Sequence, residues 1–89
     1  MRRRYTVEGM VQGVGFRYFV RRQAMRLGLK GWVRNKDDGS VEAEAVGSAD
    51  HLEEFETELR RGPAYASVTN LRVIEVPDEG DSSDSFEIV

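Results

Sequence analysis

The sequence predicts an α+β fold with the order strand-helix-strand-strand-helix-strand, closed by one further short strand. Three observations carry that expectation. Polar and apolar residues alternate with period two in the strand segments, and apolar residues recur at helical spacing in two others. Between the second and third strands, Asp37-Asp38-Gly39 forms a hairpin signal, because glycine supplies the positive φ such turns need.

Each element follows in order. Residues 4–9 alternate, with Tyr5 and Val7 on one side and Thr6 and Glu8 on the other, and Gly9, Gly13 and Gly15 are expected to break this first strand. Phe16, Phe19, Val20, Ala24 and Leu27 then mark a helix over 16–27, stopped by Gly28. A second strand is expected at 31–36. The third sets Val41, Ala43 and Ala45 against Glu42 and Glu44, which implies a sheet with one wet face. The second helix, about 49–60, has Ser48 or Asp50 as its cap, Leu52, Phe55 and Leu59 as its buried stripe, and Arg60-Arg61 at its negative end. Gly62-Pro63 ends it. A fourth strand over about 67–76 leads to a polar, acidic loop at 77–85, and Phe86 and Ile88 close the chain as an edge strand.

Two right-handed crossovers around a central hairpin make this a ferredoxin-like βαββαβ sandwich, with an antiparallel sheet and both helices on one face. Its 89 residues suit a single domain spanning 1–89, with no room for a separate cofactor domain. Many unrelated activities share the fold, so function must be read from a site.

Composition removes several classes of chemistry. With no cysteine, the chain has no disulfide, thiolate metal ligand or thiol nucleophile, and it suits a reducing compartment. Met1-Arg2-Arg3-Arg4 is basic like the start of a signal peptide, but no apolar run of signal length follows. No stretch reaches bilayer-spanning length, so the expected location is cytoplasmic, away from membranes. A net charge of −3 argues against a nucleic-acid partner. Charge is nevertheless segregated: Arg17, Arg21, Arg22 and Arg26 cluster early, while Glu75, Asp78, Glu79, Asp81, Asp84 and Glu87 gather late.

The informative stretch is Val11-Gln12-Gly13-Val14-Gly15-Phe16-Arg17, between the first strand and the first helix. Glycines let a backbone fold tightly, and successive N–H groups can converge as an anion nest. The helix starts at once, so its free N–H groups and dipole favour negative charge at the same place. Arg17 falls in the first turn, where a guanidinium fork can hold two phosphate oxygens. From the residues alone a plain strand-to-helix turn remains an equal reading, because a bare Gly-x-Gly is weak evidence. The loop lacks the Gly-Lys-Ser/Thr ending of a Walker motif and the glycine spacing of a dinucleotide fingerprint. His51 has no partner at ligand spacing and reads as a surface or capping residue, so no metal and no cofactor are expected.

A second stretch, Gly31-Trp32-Val33-Arg34-Asn35, runs into the hairpin. In the sandwich, the first two strands are parallel and separated by the third, so their C-terminal ends lie roughly 10 Å apart on one edge. A phosphate and one water fit that gap. Asn35 both donates and accepts and so suits a water, although asparagine is also common at hairpin mouths. Trp32 reads as packing rather than as a ligand platform.

These stretches resemble the acylphosphatase family over essentially the whole chain. Residues 7–17 resemble its first signature, and Gly31 to Asn35 with Gly39, Val41 and Gly47 resemble its second. The acidic loop at 77–85 is long for the family. The resemblance implies that Arg17 is the phosphate-binding arginine and Asn35 the water-orienting asparagine. It also implies that the backbone N–H groups of Gln12, Gly13, Val14, Gly15, Phe16 and Arg17 form the cradle. The expected activity is metal-independent hydrolysis of a small-molecule acyl phosphate by a monomer, with inorganic phosphate as product and competitive inhibitor.

Two rival readings are weighed against it. An RNA-binding domain of this fold usually presents aromatics on its sheet, whereas the wet face here carries Glu8, Glu42 and Glu44. An acylphosphatase-like domain also opens larger hydrogenase-maturation proteins, against which the chain's length argues.

Overall fold

The structure, a computed structural model, describes residues 1–78 and 84–89. Its elements are β1 (Arg2–Met10), α1 (Phe16–Arg26), β2 (Lys30–Asn35), β3 (Val41–Val46), α2 (Ala49–Arg61), β4 (Ser67–Val76) and β5 (Phe86–Ile88). One sheet holds all five strands in the order β4-β1-β3-β2-β5. This is the ferredoxin-like arrangement with one added edge strand. Of the acidic loop expected at 77–85, residues 79–83 lie outside the described residues.

The four sandwich strands pair antiparallel as expected, and the extra edge strand β5 runs parallel to β2, which makes the full sheet mixed. The direction follows from where β4 ends. Val76 lies opposite Arg2, at the starting end of β1, and β1 is parallel to β2 across β3. A chain crossing to the far edge from there arrives at the start of β2 and must run alongside it.

The first strand also continues through Gly9 instead of breaking there. The β1–β4 register shifts between Glu8 and Gly9, and Gly9 sits at φ 126°. A side chain there would place its Cβ 2.1 Å from the Ser67 carbonyl oxygen, so glycine is required at this bulge.

Tyr5, Val7, Val33, Val41, Ala43 and Ala45 form the sheet side of the core. Phe16, Phe19, Val20 and Ala24 of α1 and Leu52, Phe55 and Leu59 of α2 cover them. Phe55 meets Tyr5 edge-on at 5.5 Å and Phe86 at 6.1 Å. Each such fully buried apolar side chain contributes about 1.5–3 kcal/mol.

The opposite sheet face is less wet than the alternation implied. Glu44 is buried there, with the Arg2 guanidinium 2.7 Å away and that of Arg4 2.8 Å away. Arg2 is buried with it, while Arg4 remains partly exposed, its stem lying along the sheet and its head at the water's edge. Burial raises the Glu44 carboxyl, but hydrogen bonds from Arg4 and Arg2 more than offset it and hold the carboxyl below its ordinary range.

Candidate active site

The loop between β1 and α1 is pinned at both ends and open in the middle. Val11 and Phe16 are each 1% exposed, and Val14 packs against the core. Between these anchors, Gly13 and Gly15 both adopt φ 75°, the left-handed region that favours glycine. A Cβ at either position would meet nothing within 4 Å, so the space over the loop is unfilled by protein. Among the described residues, the N–H groups of Gln12, Gly13, Val14 and Gly15 make no backbone hydrogen bond.

Helix α1 continues the same surface. Gly15 is its N-cap, no side chain caps it, and its first turn holds no acid. Its first N–H groups therefore face outward with the positive end of the dipole. Arg17 is half-buried in that turn. Arg2, Arg3, Arg4 and Arg34 are each held by a carboxylate, but among the described residues none pairs with Arg17.

Asn35 is the last residue of β2 and is exposed. It lies opposite Val41, which lies opposite Val7 on its other side. These three residues form one row across the sheet. Residues directly opposite point to the same face, so Asn35 shares the face that Val7 and Val41 bury beneath the helices. It stands two strand spacings from β1, roughly 10 Å. Its neighbour Arg34 points to the other face, where it bonds Glu42 at 2.7 Å and covers the Trp32 ring at 5.7 Å. Trp32 is thus a packing residue on the sheet. Beside Asn35 lies an open hollow of about 350 Å³, lined also by Arg34, Lys36, Asp37 and Asp38.

The hairpin beyond Asn35 is braced internally. The Lys36 N–H donates to the Ser40 carbonyl at 2.9 Å, and Gly39 returns an N–H to the Lys36 carbonyl at 3.2 Å. Asp38 accepts from the Ser40 hydroxyl at 2.6 Å and from its N–H at 2.9 Å, which holds its carboxyl below the ordinary range. A contact not foreseen from sequence joins this hairpin to the loop. The Gln12 side chain donates to the carbonyls of Lys36 at 2.7 Å and Ser40 at 3.0 Å. Its signal in the sequence was a long amide side chain inside a run of glycines and valines.

His51 lies in the first turn of α2, where its N–H donates to Ser48 Oγ. Ser48, not Asp50, is that helix's cap. Among the described residues no group of three or more His, Asp or Glu side chains is placed to hold a metal ion. No helix among them is long and apolar enough to cross a membrane.

The fold and this loop together define an α+β protein whose glycine-rich β1–α1 loop, with N–H groups free of backbone partners, runs directly into an uncapped helix. Comparison with known proteins makes the class specific. A sequence model of the acylphosphatase family matches residues 3–88. The acylphosphatase of Pasteurella multocida is 48% identical over 84 residues, covering 94% of this chain and 93% of that protein. The crystal structure of acylphosphatase from Bacillus subtilis superposes with a TM-score of 0.92 at 42% identity, covering 99% of this chain and 97% of that one. The structure of T. kodakarensis HypF aligns at a TM-score of 0.85 and 32% identity, covering all of this chain but 12% of HypF. The chain belongs to the acylphosphatase family, and its activity is the hydrolysis of acyl phosphates.

Proposed function

We propose that Arg17 and the backbone N–H groups of residues 12–17 hold the phosphoryl oxygens of an acyl phosphate while Asn35 aims the attacking water. The observation that carries this reading is the unsatisfied start of α1. Loop N–H groups without a backbone partner lead straight into a helix start that no side chain caps and whose first turn carries a half-buried arginine with no carboxylate partner among the described residues. Such a start is poorly stabilised in itself and gains its missing partner when a dianion binds.

The reaction needs little beyond that. Water attacks phosphorus, and the bond from phosphorus to the acyl oxygen breaks. Its electron pair leaves on a carboxylate, which requires no general acid. The water's proton passes to a phosphate oxygen of the substrate, and inorganic phosphate and a carboxylate remain. Charge spread over the equatorial oxygens is met by the guanidinium and the amide dipoles, preorganised as in an oxyanion hole. Asn35 contributes by orientation, which can supply orders of magnitude without acid–base chemistry. These groups supply the positive charge, so the proposed mechanism is metal-independent. A single chain supplies every group, so the enzyme acts as a monomer. The cysteine-free chain suits the cytoplasm.

The test is an acetyl phosphate assay in excess chelator, with inorganic phosphate added as inhibitor. Undiminished turnover and competitive inhibition are expected, together with a melting temperature that rises as phosphate binds the native state. Activity lost to chelation and restored by a divalent cation would refute the metal-independent mechanism. Non-competitive inhibition would refute the shared cradle.

A further inference from the structure

Gln12 links the two halves of the proposed site. Its Nε2 reaches the carbonyl oxygens of Lys36 and Ser40 at 2.7 and 3.0 Å. Those residues face each other at the neck of the β2–β3 hairpin, one position beyond Asn35. A primary amide carries two N–H donors, so one side chain clasps both strands of the neck.

The two structures it joins are otherwise fixed by separate means. The loop is held by buried Val11 and Phe16 and by Val14 on the core. The hairpin tip is held by Asp38 on Ser40 and by Gly39 on Lys36. The sheet row through Val41 and Val7 registers Asn35 with β1. The loop beyond β1 is tied to the hairpin by the Gln12 side chain, which starts in the loop and ends on the residue after Asn35.

We infer that Gln12 is a positioning residue whose side-chain amide sets Asn35 against the phosphate cradle. The inference rests on the proposed role of Asn35 and adds a side-chain task to a residue whose N–H serves the cradle. A group acting this way is felt in kcat rather than in phosphate affinity, because in-line attack is sensitive to misplacement of about 1 Å. The loop keeps its own anchors when the amide is gone, so phosphate still binds.

The test is a double-mutant cycle in acetyl phosphate hydrolysis, with phosphate inhibition measured beside kcat. Gln12→Ala should lower kcat about tenfold and leave the phosphate inhibition constant within about twofold. Gln12→Met keeps the side chain's length and removes both donors, so it should lose as much as Gln12→Ala. In an Asn35→Ala background, Gln12→Ala should cost almost nothing more, because the residue it positions is already gone. Retention of the phosphate-induced rise in melting temperature checks that each variant is folded with its cradle intact.

Three results would overturn the positioning role alone. They are a full tenfold loss again in the Asn35→Ala background, a phosphate inhibition constant that rises in step with the loss, and a Gln12→Met enzyme of normal kcat. A normal kcat for Asn35→Ala alone would refute the water-orienting role itself, and with it this inference. An additive cycle on a slow Asn35→Ala enzyme refutes only the positioning role.

Discussion

Helix α2 begins with Ser48 Oγ accepting from the His51 N–H and with Asp50 in its first turn, whereas α1 begins on a left-handed glycine with no cap, no acid and an arginine. The first arrangement satisfies an orphan N–H group and opposes the helix dipole with negative charge. The second leaves those groups open and adds a cation where the dipole disfavours one. The arginines of β1 differ from Arg17 in the same way. Arg2 and Arg4 close over Glu44 and Arg3 holds Glu56, while Arg17 stands without a carboxylate among the described residues. Two helix starts in one small fold thus differ in whether their end groups are satisfied within the protein, and the proposed site uses the unsatisfied one.

The largest expected effect comes from removing the cation that has no carboxylate partner among the described residues. Arg17→Ala should lower kcat/KM by about 10³-fold, in the range of lost transition-state charge stabilisation by a single group. In phosphate-free buffer the same variant should melt no lower than the parent. Removing a cation from a helix N-terminus is worth about 0.3–1 kcal/mol in favour of the folded state. Arg17→Lys should recover little activity, because a point charge cannot replace a bidentate fork. Wild-type turnover in folded Arg17→Ala would break the comparison at its root.

Asn35→Ala comes next, with kcat falling on the order of 10²-fold and phosphate inhibition nearly unchanged, the kinetic mark of an interaction made in the transition state. If Asn35 merely shaped the hairpin, the variant would instead melt lower and turn over normally. Melting curves and steady-state kinetics on one preparation decide between the two.

The scaffold side of the comparison has the opposite profile. Glu44→Gln should lower stability by about 1–3 kcal/mol, because it weakens charge-assisted bonds to buried groups, and should leave kcat alone. Glu44 also predicts a pH dependence. Its carboxyl is held below the ordinary range when folded, so its contribution is complete above the unfolded pKa of about 4.3 and fades as pH falls through the lower folded value. Chemical denaturation from neutral to acid pH should show this loss in the parent and a shallower one in Glu44→Gln. An unchanged acid limb would remove Glu44 from the account.

The smallest effect belongs to the capped helix. Ser48→Ala should cost about 1 kcal/mol, which for a domain of this size lowers the melting temperature by about 4–8 °C. Turnover should not move. A Ser48→Ala enzyme with altered kcat would show that the two helix starts are coupled, and the division between scaffold and site would then need redrawing.

Much of this was legible in the residues themselves. The alternation of Tyr5 and Val7, the helical spacing of Phe16, Phe19 and Val20, and the Asp-Asp-Gly turn fixed the order of elements, because local periodicity decides which face of each element is buried. The glycines at 13 and 15 and the arginine at 17 were visible as one short stretch, since a loop closing directly into a helix keeps its chemistry contiguous in sequence. Other features arise only where distant segments meet. The parallel β5 depends on which end of the sheet β4 leaves, and the burial of Glu44 depends on arginines 40 and 42 residues earlier. The bulge at Gly9 exists only because the Ser67 carbonyl approaches it. The Gln12 clasp spans 24 residues to one carbonyl and 28 to the other. Periodicity carries no information about such contacts, because they are set by the register of strands brought together only when the core closes.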